Sequence, residues 1–177
     1  MKLKRFIKKT VYTILKWFIV KVAYIDSRIY MKLYYKLLKN SGLRGGVPRF
    51  VAASVKFDTF ELIEIGERTT ISSNTILLTH DYSFTNALRA VGEPSKTDIG
   101  IIKPIKIGNN CFIGMNVVVL PGTIVEDNVL VGAGSVIRGR LESDSVYIGN
   151  PAKRIMSMEE YVEKIKTRDN LYKIDKR

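Results

Sequence analysis

The chemistry that this sequence offers centres on one imidazole, since His80 is the only histidine in 177 residues. A neutral imidazole, with an ordinary pKa of ~6.5, accepts a proton near neutral pH and suits the role of general base toward a hydroxyl group. Asp81 follows directly and is a candidate to orient or charge-stabilise the ring. A solvated Asp at the start of a loop is the alternative, because adjacent strand residues point apart.

The other residue with nucleophilic chemistry, Cys111, is the only cysteine, so the chain forms no internal disulfide. It occupies a slot that holds mostly small or β-branched side chains in a repeating pattern, which favours a packed, inert thiol over a nucleophile. No Ser–His or Cys–His pattern is evident. A reaction at His80 is therefore expected to proceed by direct attack, without a covalent intermediate on the protein.

The elements that position these residues are indicated by a six-residue repeat. Six consecutive steps begin with Ile107, Ile113, Val119, Val125, Val131 and Ile137. The fifth residues of the same steps are Cys111, Val117, Thr123, Val129, Ser135 and Leu141. A hexapeptide period predicts a β-helix, in which three short strands close a triangular coil and the coils stack at about 4.8 Å. The first residues should form an aliphatic column along the axis, and Gly108, Gly114 and Gly132 should occupy corners.

Several repeat segments resemble the hexapeptide-repeat acyltransferases, and most closely the galactoside and maltose acetyltransferases and the O-acetyltransferases of polysaccharide biosynthesis. The segments are 104–114, 120–123, 131–136 and 149–152, together with two upstream steps, 65–70 and 71–76, that lead into His80. The resemblance covers about residues 47–155. It implies a mainly β chain folded as a left-handed parallel β-helix. Left-handed coils depart from the usual crossover rule, so the handedness rests on the resemblance alone.

The resemblance also implies a reaction and a set of site residues. It points to an acetyl-CoA-dependent O-acetyltransferase that acts on a sugar or glycan hydroxyl in cell-surface polysaccharide biosynthesis, with His80 as general base and no required metal. By motif position, acetyl-CoA is expected to contact Phe112, Met115, Ala133, Gly134, Arg138, Lys153 and Arg154. Tyr82, Phe84 and Arg89 are expected to shape the acceptor pocket.

A homotrimer is implied as well, with acetyl-CoA in a groove between two neighbouring solenoids and its phosphates beside basic side chains. This chain departs from the family pattern at two places. The family often has Trp at the position of Phe112 and a basic residue at the position of Met156. Arg138 and Arg154 are then expected to supply charge for the phosphates.

Two alternatives to O-acetyl transfer stay open. One is N-acylation of an amino sugar or another small amine, although no strand–glycine-loop–helix pattern of a nucleotide-binding domain precedes the repeats. The other is a non-catalytic β-helix scaffold, which His80 at the family's catalytic position disfavours. A zinc-dependent carbonic anhydrase on the same fold needs three histidine ligands, and one histidine cannot supply them. The sequence contains no pattern that identifies the acceptor sugar, the hydroxyl that is acylated or the length of the short acyl group.

The net charge of +12 is carried by the ends of the chain rather than by the repeats. Residues 1–40 hold eleven Lys and Arg side chains against one acid, Asp26, whereas residues 41–151 hold ten basic and eleven acidic side chains. Nucleic-acid binding needs a basic stripe, so the balanced repeats argue against it. The chain thus divides into a basic helical arm (1–46), a β-helix (47–155) with a loop insertion at 81–104, and a charged C-terminal helical tail (156–177).

The arm predicts an amphipathic helix over residues 3–30, because apolar residues recur there at steps of three and four. Trp17 and Phe18 as anchors, with lysines around them, suit the surface of an anionic membrane. The alternative is an apolar stripe that packs on the solenoid or on the trimer. Lys16 and Lys21 interrupt the apolar run, so no transmembrane span is predicted. No signal-peptide pattern is present either, and the expected location is cytoplasmic, peripheral at the inner face of the cell membrane.

Overall fold

The computed structural model describes residues 2–93, 96–168 and 171. Its helices are α1 (Lys2–Val22), α2 (Ser27–Ser41), α3 (Ser83–Ala90) and α4 (Met158–Lys166), with a short 3-10 turn at Phe60–Leu62. The first strands are β1 (Arg44–Gly45), β2 (Phe50–Val51), β3 (Lys56–Phe57), β4 (Ile63–Ile65), β5 (Thr70–Ile71), β6 (Ile76–Leu77), β7 (His80–Asp81) and β8 (Ile101–Ile102). The later strands are β9 (Ile105–Ile107), β10 (Phe112–Ile113), β11 (Val118–Val119), β12 (Ile124–Val125), β13 (Leu130–Val131), β14 (Val136–Ile137), β15 (Arg140–Leu141), β16 (Ser145–Gly149) and β17 (Ala152–Ser157).

Successive strands visit three parallel sheets in turn, and these sheets form the sides of a triangular solenoid. Side one is β1-β4-β9-β12-β15, side two is β2-β5-β10-β13-β16, and side three is β3-β6-β11-β14. Strand β17 extends side two and runs antiparallel to β16. Three strands therefore make one coil, as the hexapeptide period predicted.

Two columns of side chains fill the solenoid, and both follow from the repeat. The six Ile and Val residues that begin the steps are at most 1% exposed, and the six fifth-slot residues are at most 3% exposed. Each buried aliphatic side chain contributes about 1.5–3 kcal/mol by leaving water. The buried hydroxyls donate to backbone carbonyls, as Thr123 does to Leu120 (2.7 Å) and Ser135 to Gly132 (2.7 Å). The predicted axial column is confirmed.

The corners need glycine where two backbones approach closely, and Asn or Gly where the backbone is left-handed. Gly114 is required by close approach, because a Cβ there would lie 2.6 Å from the backbone nitrogen of Ala133 in the next coil. The left-handed backbone lies two residues further along each step, at Asn110, Asn116, Gly122, Asn128 and Gly134, with φ from 53° to 82°. Asn and Gly adopt this conformation more readily than other residues. These Asn and Gly residues form a second six-residue period in the sequence.

The arm is a helical hairpin, so the prediction of one helix over residues 3–30 is wrong. The chain turns after Val22, and the Asp26 carboxylate caps α2 by accepting from the backbone N–H groups of Arg28 (2.7 Å) and Ile29 (3.0 Å). A side-chain acceptor at this position starts a new helix. None of the described helices is long and apolar enough to cross a bilayer.

One face of α2 closes the first end of the solenoid. Tyr30, Tyr34, Leu37 and Leu38 are buried in the same core as the first coil, and the Tyr30 hydroxyl donates to the backbone carbonyl of Val51 at 2.8 Å. Helix α1 packs on α2. The arm is therefore an integral cap of the β-helix.

The described residues of the insertion at 81–104, which are 81–93 and 96–104, form a strand pair and a helix rather than an open loop. Strands β7 and β8 pair antiparallel, with His80 opposite Ile102, and α3 lies between them. At the other end of the chain, Ser157 and Glu160 form a capping box at the start of α4. The tail predicted over 156–177 is helical at 158–166, and residues 169, 170 and 172–177 lie outside the described residues.

Candidate active site

The corners that join side three of one coil to side one of the next form a line that we call the histidine edge. Asp58, His80, Gly122 and Arg138 lie along it in successive coils. Backbone bonds fix this stacking: Leu78 N–H donates to the carbonyl of Val119 at 2.9 Å, and Asp58 N–H to that of Leu77 at 3.2 Å. Residues far apart in sequence thus become neighbours at the coil spacing of about 4.8 Å.

The His80 ring is held by a carboxylate from the coil before it. Nδ1 of His80 contacts Oδ2 of Asp58, with the two side chains 35% and 20% exposed. The same Oδ2 accepts from the backbone N–H (3.0 Å) and the hydroxyl (2.9 Å) of Thr79. A proton on Nδ1 that faces a carboxylate leaves Nε2 with a free lone pair. The arrangement supplies an oriented, partly exposed base.

Asp81 does not orient the ring, contrary to the expectation drawn from its adjacency. Its carboxylate accepts from the backbone N–H of Ser83 at 2.8 Å, at the start of α3. That bond holds the pKa of Asp81 below its ordinary value. The partner that sequence reasoning missed, Asp58, precedes His80 by a full coil, so only the stacking of coils brings them together.

The predicted acceptor residues on the insertion have different surroundings. The Tyr82 ring stands edge-on to His80, with ring centroids 5.4 Å apart, and packs against Gly100. The Phe84 side chain is 45% exposed. Arg89 faces Asn86 (3.3 Å) and Asp98 (3.5 Å) within the insertion. Of the three, Tyr82 is the one in ring contact with the imidazole.

The predicted acetyl-CoA residues lie in more than one place on the solenoid. Met115, Ala133 and Gly134 form a second line, the methionine edge, where side two meets side three, and Gly134 N–H donates to the carbonyl of Met115 at 2.8 Å. Phe112 is exposed on side two. Arg138 is exposed on the histidine edge, two coils beyond His80. One chain therefore does not gather these residues around His80.

The remaining two predicted residues lie on β17. Lys153 and Arg154 pair with Ile148 and Tyr147 of β16, and both are exposed. Arg154 Nε donates to the Ser145 hydroxyl at 2.8 Å, which fixes its guanidinium near the last coil. The pair presents positive charge at the C-terminal end of side two.

Cys111 is packed, and the described residues contain no cluster of three His, Cys, Asp or Glu side chains suited to a metal ion. The thiol is 2% exposed and donates to the carbonyl of Glu126 at 3.0 Å. Burial raises the pKa of Cys111, which disfavours the nucleophilic thiolate. This agrees with the packed thiol predicted from its slot.

Comparison with known proteins identifies the architecture. The family described as "Bacterial transferase hexapeptide (six repeats)" matches residues 104–139. Protein CapG of Staphylococcus aureus is 36% identical over 149 residues, which cover 78% of this chain and 83% of CapG. The putative lipopolysaccharide biosynthesis O-acetyl transferase WbbJ of Escherichia coli K12 is 34% identical over 104 residues, which cover 57% of this chain and 53% of WbbJ. A solved galactoside acetyltransferase in complex with coenzyme A has a TM-score of 0.61 at 21% identity, covering 95% of this chain and 88% of the other.

The chain therefore belongs to the bacterial hexapeptide-repeat transferases, and its fold is the left-handed parallel β-helix of that family. This confirms the resemblance carried by the repeat segments. The chain spans about half the length of WbbJ and 83% of CapG.

Proposed function

We propose that this protein is an acetyl-CoA-dependent O-acetyltransferase acting on a sugar or glycan hydroxyl in cell-surface polysaccharide biosynthesis. The observation that carries the proposal is the Asp58–His80 pair at an exposed edge of a hexapeptide-repeat transferase. Its relatives support the chemistry, because one is described as a lipopolysaccharide biosynthesis O-acetyl transferase and a neighbour in fold is a galactoside acetyltransferase with coenzyme A.

The side chains on the histidine edge suit direct attack. Acetyl-CoA supplies the acetyl group as a thioester. Nε2 of His80 accepts the proton of the acceptor hydroxyl while that oxygen bonds to the thioester carbonyl carbon. The imidazolium then returns the proton to the departing thiolate sulfur, and the Asp58 carboxylate stabilises the imidazolium between the two transfers. The products are an acetyl ester and free coenzyme A.

A homotrimer with shared active sites is part of the proposal, and the positions of the predicted acetyl-CoA residues support it. His80 and Arg138 are on one edge, whereas Met115, Ala133 and Gly134 are on another, so a single chain offers only part of the acetyl-CoA groove. Placing the histidine edge of one subunit against the methionine edge of the next completes it. Arg138, Lys153 and Arg154 then supply positive charge for the phosphates.

A peripheral position at the inner face of the cell membrane is the further part of the proposal. The helical hairpin exposes large apolar side chains, which we call the hairpin apolar surface: Ile7, Val11, Ile14, Leu15, Trp17, Phe18, Tyr24, Ile25, Ile29 and Leu33, each at least 40% exposed. Lys21 lies over the Trp17 ring at 3.4 Å. Tyr12, Ile19 and Val22 pack on the core instead. Packing and membrane contact therefore use different faces of α1.

The test is an acceptor screen with acetyl-CoA that follows release of the free coenzyme A thiol. Sugars, oligosaccharide fragments and lipid-linked sugars are compared with small amines. We expect His80→Ala to lower turnover on any active acceptor by about 10²–10⁴, the usual contribution of a general base, while acetyl-CoA affinity in a calorimetric titration changes little. A fully active His80→Ala enzyme removes the assignment, amines as preferred acceptors favour N-acylation, and failure to bind acetyl-CoA favours a scaffold.

A further inference from the structure

The threonine that precedes His80 is fully buried, and its hydroxyl faces a carboxylate. Thr79 is 0% exposed, and its Oγ1 lies 2.9 Å from Oδ2 of Asp58. An ionised carboxylate can only accept, so the hydroxyl is the donor. The other buried threonines of the described chain donate to backbone carbonyls instead: Thr69, Thr75, Thr85 and Thr123. The Thr79 hydroxyl is therefore directed at the site rather than at a corner of the backbone.

The Asp58 carboxylate needs such a donor because the torsion that turns a carboxylate is loosely restrained. Oδ2 receives the backbone N–H of Thr79 at 3.0 Å as well as the hydroxyl, and the same atom contacts Nδ1 of His80. The side chains of Asp58 and His80 are 20% and 35% exposed, so water reaches both and competes for these contacts. Thr79 is closed to water, and its hydroxyl restrains Oδ2 from the buried side.

The backbone around Thr79 is itself held on two sides. Leu78 N–H donates to the carbonyl of Val119 in the next coil at 2.9 Å. Lys103 N–H, just after β8, donates to the carbonyl of Thr79 at 2.9 Å. The coil and the returning end of the insertion thus fix the position of the hydroxyl, and a backbone shift cannot easily replace it.

We propose that Thr79 is a positioning residue for the reaction at His80. Its hydroxyl fixes the Asp58 carboxylate, and the carboxylate in turn favours the neutral imidazole with its proton on Nδ1 and a lone pair on Nε2. Without the hydroxyl the carboxylate can turn away, and the form with its proton on Nε2 gains population. That form cannot accept a proton from an acceptor hydroxyl at Nε2. The effect on turnover rests on the proposed function, whereas the effect on the ring does not.

Nuclear magnetic resonance can observe the ring directly, because His80 is the only histidine. The untagged full-length protein is labelled with ¹⁵N-histidine, and the two ring nitrogens are measured at high pH, where the imidazole is neutral. Wild type and Thr79→Ser should carry the proton on Nδ1. In Thr79→Val, which keeps the shape but lacks the donor, the ratio of the two tautomers should fall roughly tenfold, the loss of one hydrogen bond to a charged group.

Turnover is the second measurement, made with any acceptor that the screen identifies. Thr79→Val should lower kcat by roughly three- to tenfold, less than Asp58→Asn, because the carboxylate remains but is no longer fixed. Thr79→Ser should restore kcat, and acetyl-CoA affinity should be equal in all variants. Thr75→Val is the matched control, since its hydroxyl is equally buried and donates to the carbonyls of Ser72 (3.0 Å) and Gly114 (3.1 Å).

The outcomes separate a hydroxyl effect from a packing effect. Thr79→Ala and Thr79→Ser differ by the hydroxyl alone, and this pair decides the question if Thr79→Val does not fold. A wild-type tautomer ratio in the variants that lack the hydroxyl, or the same change in Thr79→Ser or Thr75→Val, overturns the role of Thr79. A changed ratio with unchanged kcat overturns its link to the reaction. A changed ratio in a protein that transfers no acetyl group defeats the proposed function and leaves the effect of Thr79 on the ring standing.

Discussion

At the scale of single residues, the candidate site depends on the contacts that the Asp58 carboxylate makes. Asp58 contacts Nδ1 of His80 and accepts twice from Thr79, so the orientation of the ring is set before any substrate binds. Asp81 also carries a carboxylate and directly follows His80 in the chain. That carboxylate accepts from the backbone N–H of Ser83 at the start of α3 and does not contact the ring. Orientation of the His80 ring therefore comes from the neighbouring coil.

Replacing each acid by its amide separates these roles. Asp58→Asn keeps the shape but loses the charge that fixes the ring, so kcat should fall by about 10–100-fold. Asp81→Asn should change kcat far less, since its carboxylate accepts from the backbone N–H of Ser83, at the start of α3. Steady-state rates for both variants against one acceptor decide this. An equal loss in the two variants would contradict the assignment of Asp58.

At the scale of elements, carboxylates link one coil to the next. Asp127 accepts from the backbone N–H (2.7 Å) and side-chain amide (3.2 Å) of Asn109, and Glu126 accepts from the backbone N–H of Ser143 (2.9 Å). The backbone N–H of Asn109 and that of Ser143 are the main reasons why the pKa values of Asp127 and Glu126 lie below their ordinary range. These acids stabilise the corners when ionised.

The sign of the pH dependence follows from the lowered pKa values. Stability from such groups is present above the unfolded pKa values of about 3.9 (Asp) and 4.3 (Glu) and is lost as pH falls through the lower folded values. Asp127→Asn should therefore lower Tm at pH 7, and the gap to the wild type should shrink in strong acid. Thermal unfolding followed by circular dichroism gives the values, with Glu163→Gln on α4 as control. A gap that is independent of pH would argue against this role.

The hairpin apolar surface predicts lipid binding that can be removed without disturbing the core. Trp17 and Phe18 are 57% and 58% exposed, so Trp17→Ser with Phe18→Ser should leave folding intact and abolish flotation with anionic liposomes. Wild-type binding should need anionic lipid and weaken with salt, because part of it is electrostatic. Val162→Ser, also an exposed apolar residue on a helix, is the matched control. A wild-type protein that stays soluble at low salt would mean that the membrane proposal is wrong.

At the scale of the whole molecule, the two half-sites predict complementation between subunits. Light scattering should give a mass three times the 20.1 kDa chain. His80→Ala and Ala133→Trp should each be nearly inactive alone, since one lacks the base and the other blocks the methionine edge. Mixed trimers assembled by co-expression should regain activity, because some interfaces join two intact edges. A fully active monomer, or mixtures that stay inactive, would defeat the shared site.

The sequence by itself determined the β-helix and indicated His80 as the candidate base. The hexapeptide period identified the buried columns because an axial position recurs at every corner, and His80 was distinctive as the only histidine at the end of the upstream steps. The break at Asp26 is a local cap, since its carboxylate accepts from residues two and three positions further along, so this break too is encoded locally in the sequence. Only the tertiary structure decided the partner of His80, because Asp58 belongs to the coil before it and only the stacking of coils brings the two side chains together. Residue spacing along the chain carries little information about such a contact, because it joins residues that are far apart in sequence.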